Sequence, residues 1–168
     1  MPPVIRIRPA HDDDIAGVQQ LADAIWHAHY PGIVSPAQID YMLAHGYAAE
    51  VLQGFVGRPD RGLELAIADD ALAAFAAWYV LDGSSEAKLD KLYVAVSLQR
   101  QGLGGRLLAH VCDKARAVGA TTLILNVNKR NAQAVRAYEK HGFAIRESVV
   151  VDIGEGFVMD DFVMARQL

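Results

Sequence analysis

The run Gln99-Arg100-Gln101-Gly102-Leu103-Gly104-Gly105-Arg106 constrains this chain more than any other segment. An apolar stretch that reads as a strand, Lys88–Val96, precedes it. After it, Leu103, Leu107, Leu108, Val111, Cys112 and Ala115 recur at helical spacing as far as Gly119. Glycines in a strand-to-helix turn let a ligand approach the backbone, and the helix start offers unpaired N–H groups. Together they make an anion site suited to a pyrophosphate. The run lacks the Gly-Lys-Ser/Thr of a Walker phosphate loop. It also lacks the third glycine of a dinucleotide fingerprint, because Leu107 stands there. The next strand carries Asn126 and Asn128 where a ribose-binding acid is expected. The run fits Q/R-x-x-G-x-G/A through Gln99, Gly102 and Gly104. Taken alone, the same glycines suit a tight turn without a ligand.

The rest of the chain supplies alternating strands and helices. Val4–Arg8 reads as a short strand. Asp12, Asp13 and Asp14 suit a helix N-terminus, and Ile15, Val18, Leu21, Ala22 and Ile25 then recur at helical spacing towards Tyr30-Pro31-Gly32. Ser35-Pro36-Ala37-Gln38 starts a second helix, with Ser as cap and Pro at the first position, running through about Met42 or beyond. Gly54–Gly62 reads as a loop. Leu63, Leu65 and Ile67 alternate as a strand, and Asp69-Asp70 is a turn. Ala71–Leu81 is alanine-rich, yet Trp78-Tyr79-Val80 draws it towards strand. Asp82-Gly83-Ser84-Ser85 turns the chain into Lys88–Val96. In that strand Leu92, Val94 and Val96 share a face and Leu89 falls on the other. Either both faces are buried or a bulge shifts the parity. Thr121–Val127 is a buried strand. Asn131 caps a helix carrying Val135 and Tyr138 that ends at His141-Gly142. Phe143–Ile153 and Phe157–Gln167 close the chain as two strands. The order is β, α, α, β, β, β, α, β, α, β, β in one α/β domain over residues 1–168.

The segment Asn126–Phe143 fits strand, then N-x-x-A-x-x-x-Y-x-x-x-G-F, through Asn131, Ala134, Tyr138, Gly142 and Phe143. With Leu92-Tyr93-Val94 and the Gln99–Gly104 run upstream, it closely resembles the signatures of the GNAT superfamily of N-acetyltransferases. The resemblance is clear over about Lys88–Phe143, and the element order extends it to the whole chain. Val96 stands where many members carry Pro. The resemblance implies a GNAT fold: a mixed, mostly antiparallel sheet of about seven strands, a splayed central pair, and helices on both faces. It implies acetyl-CoA as co-substrate and direct transfer of acetyl to a primary amine. The pantetheine arm would pair with Leu92, Tyr93 and Val94. The pyrophosphate would lie on the turn of Gln99, Arg100, Gln101, Gly102, Leu103, Gly104 and Gly105, with Asn131 touching the cofactor. Tyr138 would be the general acid, since a phenol of pKa about 10 can protonate a departing thiolate. Without that resemblance Tyr138 reads as a core aromatic.

Other candidates follow from charge and placement. Glu86 and Asp90 flank Lys88 and are the acids nearest to a base position, and each also suits a solvated strand. A water chain serves other members. By resemblance Trp26, His29 and Tyr30 lie where the acceptor binds. Asp152, Glu155, Asp160 and Asp161 cluster near the last turn, and with the aromatic residues they suit a small cationic amine or a polyamine. Asp160 and Asp161 are the named acceptor residues among them, beside Trp26 and Tyr30. A charge cluster also suits plain solvated surface. His27 and His29 sit two apart on a helix and diverge, so no metal site is expected.

Composition limits the alternatives. Sixteen basic against twenty acidic residues give −4, which does not suit a nucleic-acid binder. One cysteine, Cys112, allows no internal disulfide. The apolar run Ala71–Leu81 is too short to span a membrane, and the first residues carry no apolar signal core. The expectation is a cytoplasmic enzyme with a small-molecule amine as partner, no nucleic acid and no membrane, and a homodimer left open. The alternative within this fold is a CoA-binding regulatory module without activity.

Overall fold

The computed structural model describes residues 1–168. Strands β1 (Ile5–Pro9), β2 (Arg61–Ala68), β3 (Ala71–Val80) and β4 (Glu86–Val94) pair antiparallel in succession. β5 (Thr122–Asn128) joins β4 in parallel. β7 (Phe157–Gln167) returns beside β5, and β6 (Ala144–Gly154) takes the outer edge. The seven-stranded order is β1-β2-β3-β4-β5-β7-β6. The helices are α1 (Ile15–His29), α2 (Pro36–Gly46), α3 (Ala49–Gln53), α4 (Leu103–Ala117) and α5 (Ala132–Lys140). This is the mixed, mostly antiparallel α/β fold that the sequence implied, with α3 as an added short helix. No helix is long and apolar enough to cross a membrane.

Local chemistry explains the boundaries. The Ser35 hydroxyl accepts the Gln38 N–H at 3.2 Å, and Pro36 opens α2. The Asp69-Asp70 turn has φ of +46° and +67°, the two positive angles that a tight hairpin with right-handed twist requires. Arg8 grips Asp14 with two bonds of 2.8 and 2.9 Å, fastening β1 to the start of α1. That grip draws the Asp14 carboxyl down to about 2.

Two apolar layers cover the sheet. Val18, Ile25 and Trp26 of α1 and Leu52 of α3 pack on Leu63, Leu65, Ile67 and Phe75. Leu107, Leu108 and Val111 of α4 pack on Ala74, Ala76 and Trp78 across the other face. β3 is therefore buried on both sides, which is why its residues are nearly all apolar. Ala134, Val135 and Tyr138 of α5 pack against the α4 layer. One carboxylate is buried among them: Glu64, 1% exposed, accepts from Trp78 Nε1 at 3.3 Å and pairs with His110 Nε2 at 2.9 Å.

The oddity in β4 is a bulge. Trp78 opposes Leu89 and Ala77 opposes Lys91, so Asp90 is the extra residue. Parity reverses there. Leu89, Leu92 and Val94 face the α4 layer, while Tyr93 faces the α1 layer and Lys91 lies over the rings of Tyr47 and Phe55. β4 pairs with β5 only from Glu86–Thr122 to Leu89–Leu125. Beyond the bulge, the β5 side of Asp90–Val94 has no strand partner, so the central pair splays.

Candidate active site

The splay opens two cavities. One, of about 550 Å³, runs from the free edge of β4 to the start of α4. Its lining includes Leu92, Tyr93, Val94, Gln99, Arg100, Gly102, Gly104, Gly105, Asn131 and Tyr138. Gln99 braces the turn by donating its amide to the Val94 carbonyl at 3.1 Å. Gly102 has φ +81° and caps α4, where only glycine sits without strain. Two residues expected at this groove turn elsewhere. The Leu103 side chain is 5% exposed and belongs to the core, and the exposed Gln101 reaches the Ser97 carbonyl at 3.4 Å. Only their backbone groups remain with the turn. Arg136, Lys140 and His141 also line the groove and escaped the sequence reading. Arg136 and Lys140 are four apart on α5, a spacing that shares one helix face and that charge pattern could have revealed.

The second cavity, of about 460 Å³, lies on the α1 side of β4. Trp26, Tyr30, Tyr47, Lys88, Asp90, Lys91, Tyr138 and Asp161 are among its walls. Both cavities share Tyr30, Leu92, Tyr93, Asn131, Ala134 and Tyr138. Tyr138 therefore stands where two binding spaces meet. Its ring is edge-on to Phe143 at 5.6 Å, and burial pushes its phenol above the ordinary range. It is a neutral donor at physiological pH. Asn131 caps α5 by accepting the Ala134 N–H at 3.4 Å and meets His29 Nε2 at 3.1 Å. His27 lies instead between Asp23 and Asp40, so the two histidines diverge as their spacing demands.

The acids separate. Asp161 is 4% exposed and lines the second cavity, and burial raises its carboxyl above the usual range. Asp160, its neighbour, corrects the expectation of an acidic acceptor wall. It is exposed, pairs with Lys129 at 2.7 Å and lines neither cavity. Alternation along β7 sends adjacent side chains to opposite faces. Asp152 is exposed and accepts the Gly154 N–H at 2.8 Å within its own turn. The two base candidates are both ion-paired: Glu86 with Arg146 at 2.6 Å, away from the cavities, and Asp90 with Lys91 at 2.6 Å, in the cavity wall. Lys91 is 8% exposed, and the sequence reading did not single it out.

Known proteins resemble this chain in sequence and in fold. The acetyltransferase (GNAT) family matches residues 19–143. The [ribosomal protein bS18]-alanine N-acetyltransferase of Salmonella typhimurium is 39% identical over 101 residues, 60% of this chain and 67% of that one. The spermidine N(1)-acetyltransferase of Thermoplasma acidophilum is 24% identical over 160 residues, 93% of this chain and 96% of that one. In fold, the PaiA N-acetyltransferase from Thermoplasma acidophilum, solved in complex with coenzyme A, superposes with a TM-score of 0.84 and 24% identity over 98% of this chain and 99% of that one. The chain belongs to the GNAT family of acetyltransferases. It is an acetyl-CoA-dependent N-acetyltransferase, with acetyl-CoA as co-substrate.

Proposed function

We propose that the chain acetylates the primary amine of a small cationic molecule, with acetyl-CoA in the groove beside α4 and the acceptor in the cavity lined by Asp161. The observation that carries this reading is the meeting of the two cavities at Tyr138, with a buried carboxylate in the wall of the second. The groove residues fit the cofactor. The unpaired edge of β4 offers backbone groups at Leu92, Tyr93 and Val94. The start of α4 offers N–H groups to a diphosphate. A Cβ at Gly102 would meet nothing within 4 Å, so the turn leaves the groove open. The bound cofactor supplies an activated acetyl thioester.

The chain supplies the rest. A backbone N–H of the free β4 edge is placed to stabilise negative charge on the thioester oxygen. The Tyr138 phenol holds a proton for the leaving sulfur. The cavity charges refine the acceptor class. Lys88 and Lys91 line it as well as Asp90 and Asp161, and Asp90 is spent on Lys91. Asp161 is left for an ammonium, with Lys88 the cation of the wall outside that pair. This supports an acceptor presenting a single ammonium to the cavity and weakens the polyamine reading, which needs a row of acids. Relatives are named for acetylating an alanine of ribosomal protein bS18 and spermidine, so both kinds belong in the test panel.

The test is CoA release from acetyl-CoA with monoamines, polyamines, amino acids and short peptides, with NAD and ATP as binding controls. Turnover with cationic monoamines supports the reading. Preference for neutral or acidic acceptors contradicts it. Tight acetyl-CoA binding with no turnover on any amine would mark a CoA-binding module instead.

A further inference from the structure

The acceptor cavity contains the chain's one buried side-chain oxygen without a partner. Asp161 Oδ1 makes no hydrogen bond in the protein, although the residue is 4% exposed. The groups facing this carboxylate are Asn126 of β5, Lys88 of β4, Asp160 beside it on β7, Lys129 just past β5, and Tyr30 at the end of α1. None of them satisfies Oδ1. An unsatisfied buried polar group costs stability, more when charged. Native structures rarely leave one without a role. The partner that completes a carboxylate oxygen is a donor, and the residue that carries this one lines the second cavity.

We infer that Asp161 is the base of the transfer: it seats the acceptor's ammonium and takes its proton. The inference rests on the proposed reading of this cavity as the acceptor's. In the first step one N–H bond of the ammonium breaks, its electron pair stays on nitrogen, and the proton passes to Asp161. The freed lone pair then attacks the thioester carbonyl carbon. A C–N bond forms, the C–S bond breaks, and the departing sulfur takes the Tyr138 proton. The acylated nitrogen loses its second proton back to the Tyr138 oxygen, and Asp161 gives its proton to water. One ammonium and one acetyl-CoA yield one amide, one CoA thiol and one proton. Asp161 on β7 and Tyr138 on α5 line the same cavity, so base and acid are separate groups. Glu86 and Asp90 are committed to Arg146 and Lys91, which leaves Asp161 as the acid available for this work. Burial supports the role, because a raised carboxyl is a stronger base towards an ammonium.

The test compares the parent, Asp161→Asn and Asp161→Glu with an amine that the parent acetylates. For Asp161→Asn, kcat should fall about 100-fold or more while the KM for acetyl-CoA stays unchanged. Its residual kcat should climb about tenfold per pH unit towards the amine's own pKa, where the parent is already flat. Asp161→Glu should recover part of the loss. Parental kcat in Asp161→Asn overturns the proposal, as does a loss confined to the acceptor KM or a pH profile parallel to the parent's. A lower melting temperature for Asp161→Asn at neutral pH marks a structural carboxylate and also overturns it. If the parent binds acetyl-CoA but acetylates no amine, the acceptor reading itself fails and takes the base with it.

Discussion

Tyr30 and Tyr93 share a hydroxyl–hydroxyl hydrogen bond of 3.0 Å that ties the end of α1 to the free edge of β4. Both rings line both cavities, and Tyr30 also stacks on Trp26 at 4.1 Å. Tyr30→Phe keeps the stack and removes one end of the tie, leaving the buried Tyr93 hydroxyl without it. Stability should drop by about 1 kcal/mol. Since the wall between the cavities loosens, the KM values for acetyl-CoA and acceptor should rise together. A thermal melt with steady-state kinetics on both substrates checks this. A change in one KM alone would show that the tie serves one cavity only.

Gly104 lines the cofactor groove, and a Cβ there would meet only Val94 Cγ2, at 3.5 Å. The apoprotein therefore has room for a small addition, and a valine would project its branches towards the groove. Gly104→Val should raise the KM for acetyl-CoA about tenfold with a smaller change in melting temperature. Unchanged affinity in a titration with acetyl-CoA would place the cofactor elsewhere.

The β6–β7 turn is strapped to α2 across the acceptor cavity. The Tyr41 hydroxyl donates to the Ile153 carbonyl, Gln38 Nε2 donates to the Val158 carbonyl at 3.0 Å, and Tyr41 packs on Phe157 at 5.1 Å. Gly154 has φ +102°, and a Cβ there would run into the Tyr41 hydroxyl. Gly154→Ala should cost about 1–3 kcal/mol and raise the acceptor KM more than the acetyl-CoA KM. A melt and two KM measurements test it, and an effect on acetyl-CoA alone would contradict the strap.

Asp161 carries a stability signature of its own. Its folded pKa is raised, so between the unfolded and folded values the native state binds more protons than the unfolded one. Stability from this group is present at low pH and is lost as pH rises through the carboxylate range. Asp161→Asn should therefore melt about 3 °C above the parent at neutral pH. The gain should vanish below about pH 4, where both states are protonated. Melting curves across that range decide it, and a constant difference would mean that titration is not the cause.

Much of this architecture was legible in the residues. The glycine turn, the Ser35 cap and the alternation of β2 follow from local rules, and the parity conflict between Leu89 and Leu92 narrowed β4 to a strand buried on both faces or one with a bulge. What the pattern could not give was its exact place. A bulge at Asp90 sends Lys91 to the Tyr47 and Phe55 side, whereas regular alternation would have left it on the face of Leu89. Asp160 and Asp161 looked alike for a similar reason: strand alternation separates them, but only the packing of β7 against β5 decides which one turns inward. The contact of His29 with Asn131 joins residues 102 apart, and no local signal encodes it. α3 is five residues long, too short for a periodic pattern.

The central claim is that Tyr138, where the two cavities meet, protonates the leaving sulfur. Tyr138→Phe keeps the ring against Phe143 and removes only the hydroxyl. The direct measurement is kcat for CoA release beside the dissociation constant for acetyl-CoA, in parent and variant. For Tyr138→Phe, kcat should be lower by about 100-fold or more with the dissociation constant unchanged. A Tyr138→Phe enzyme that turns over at the parental rate would contradict it.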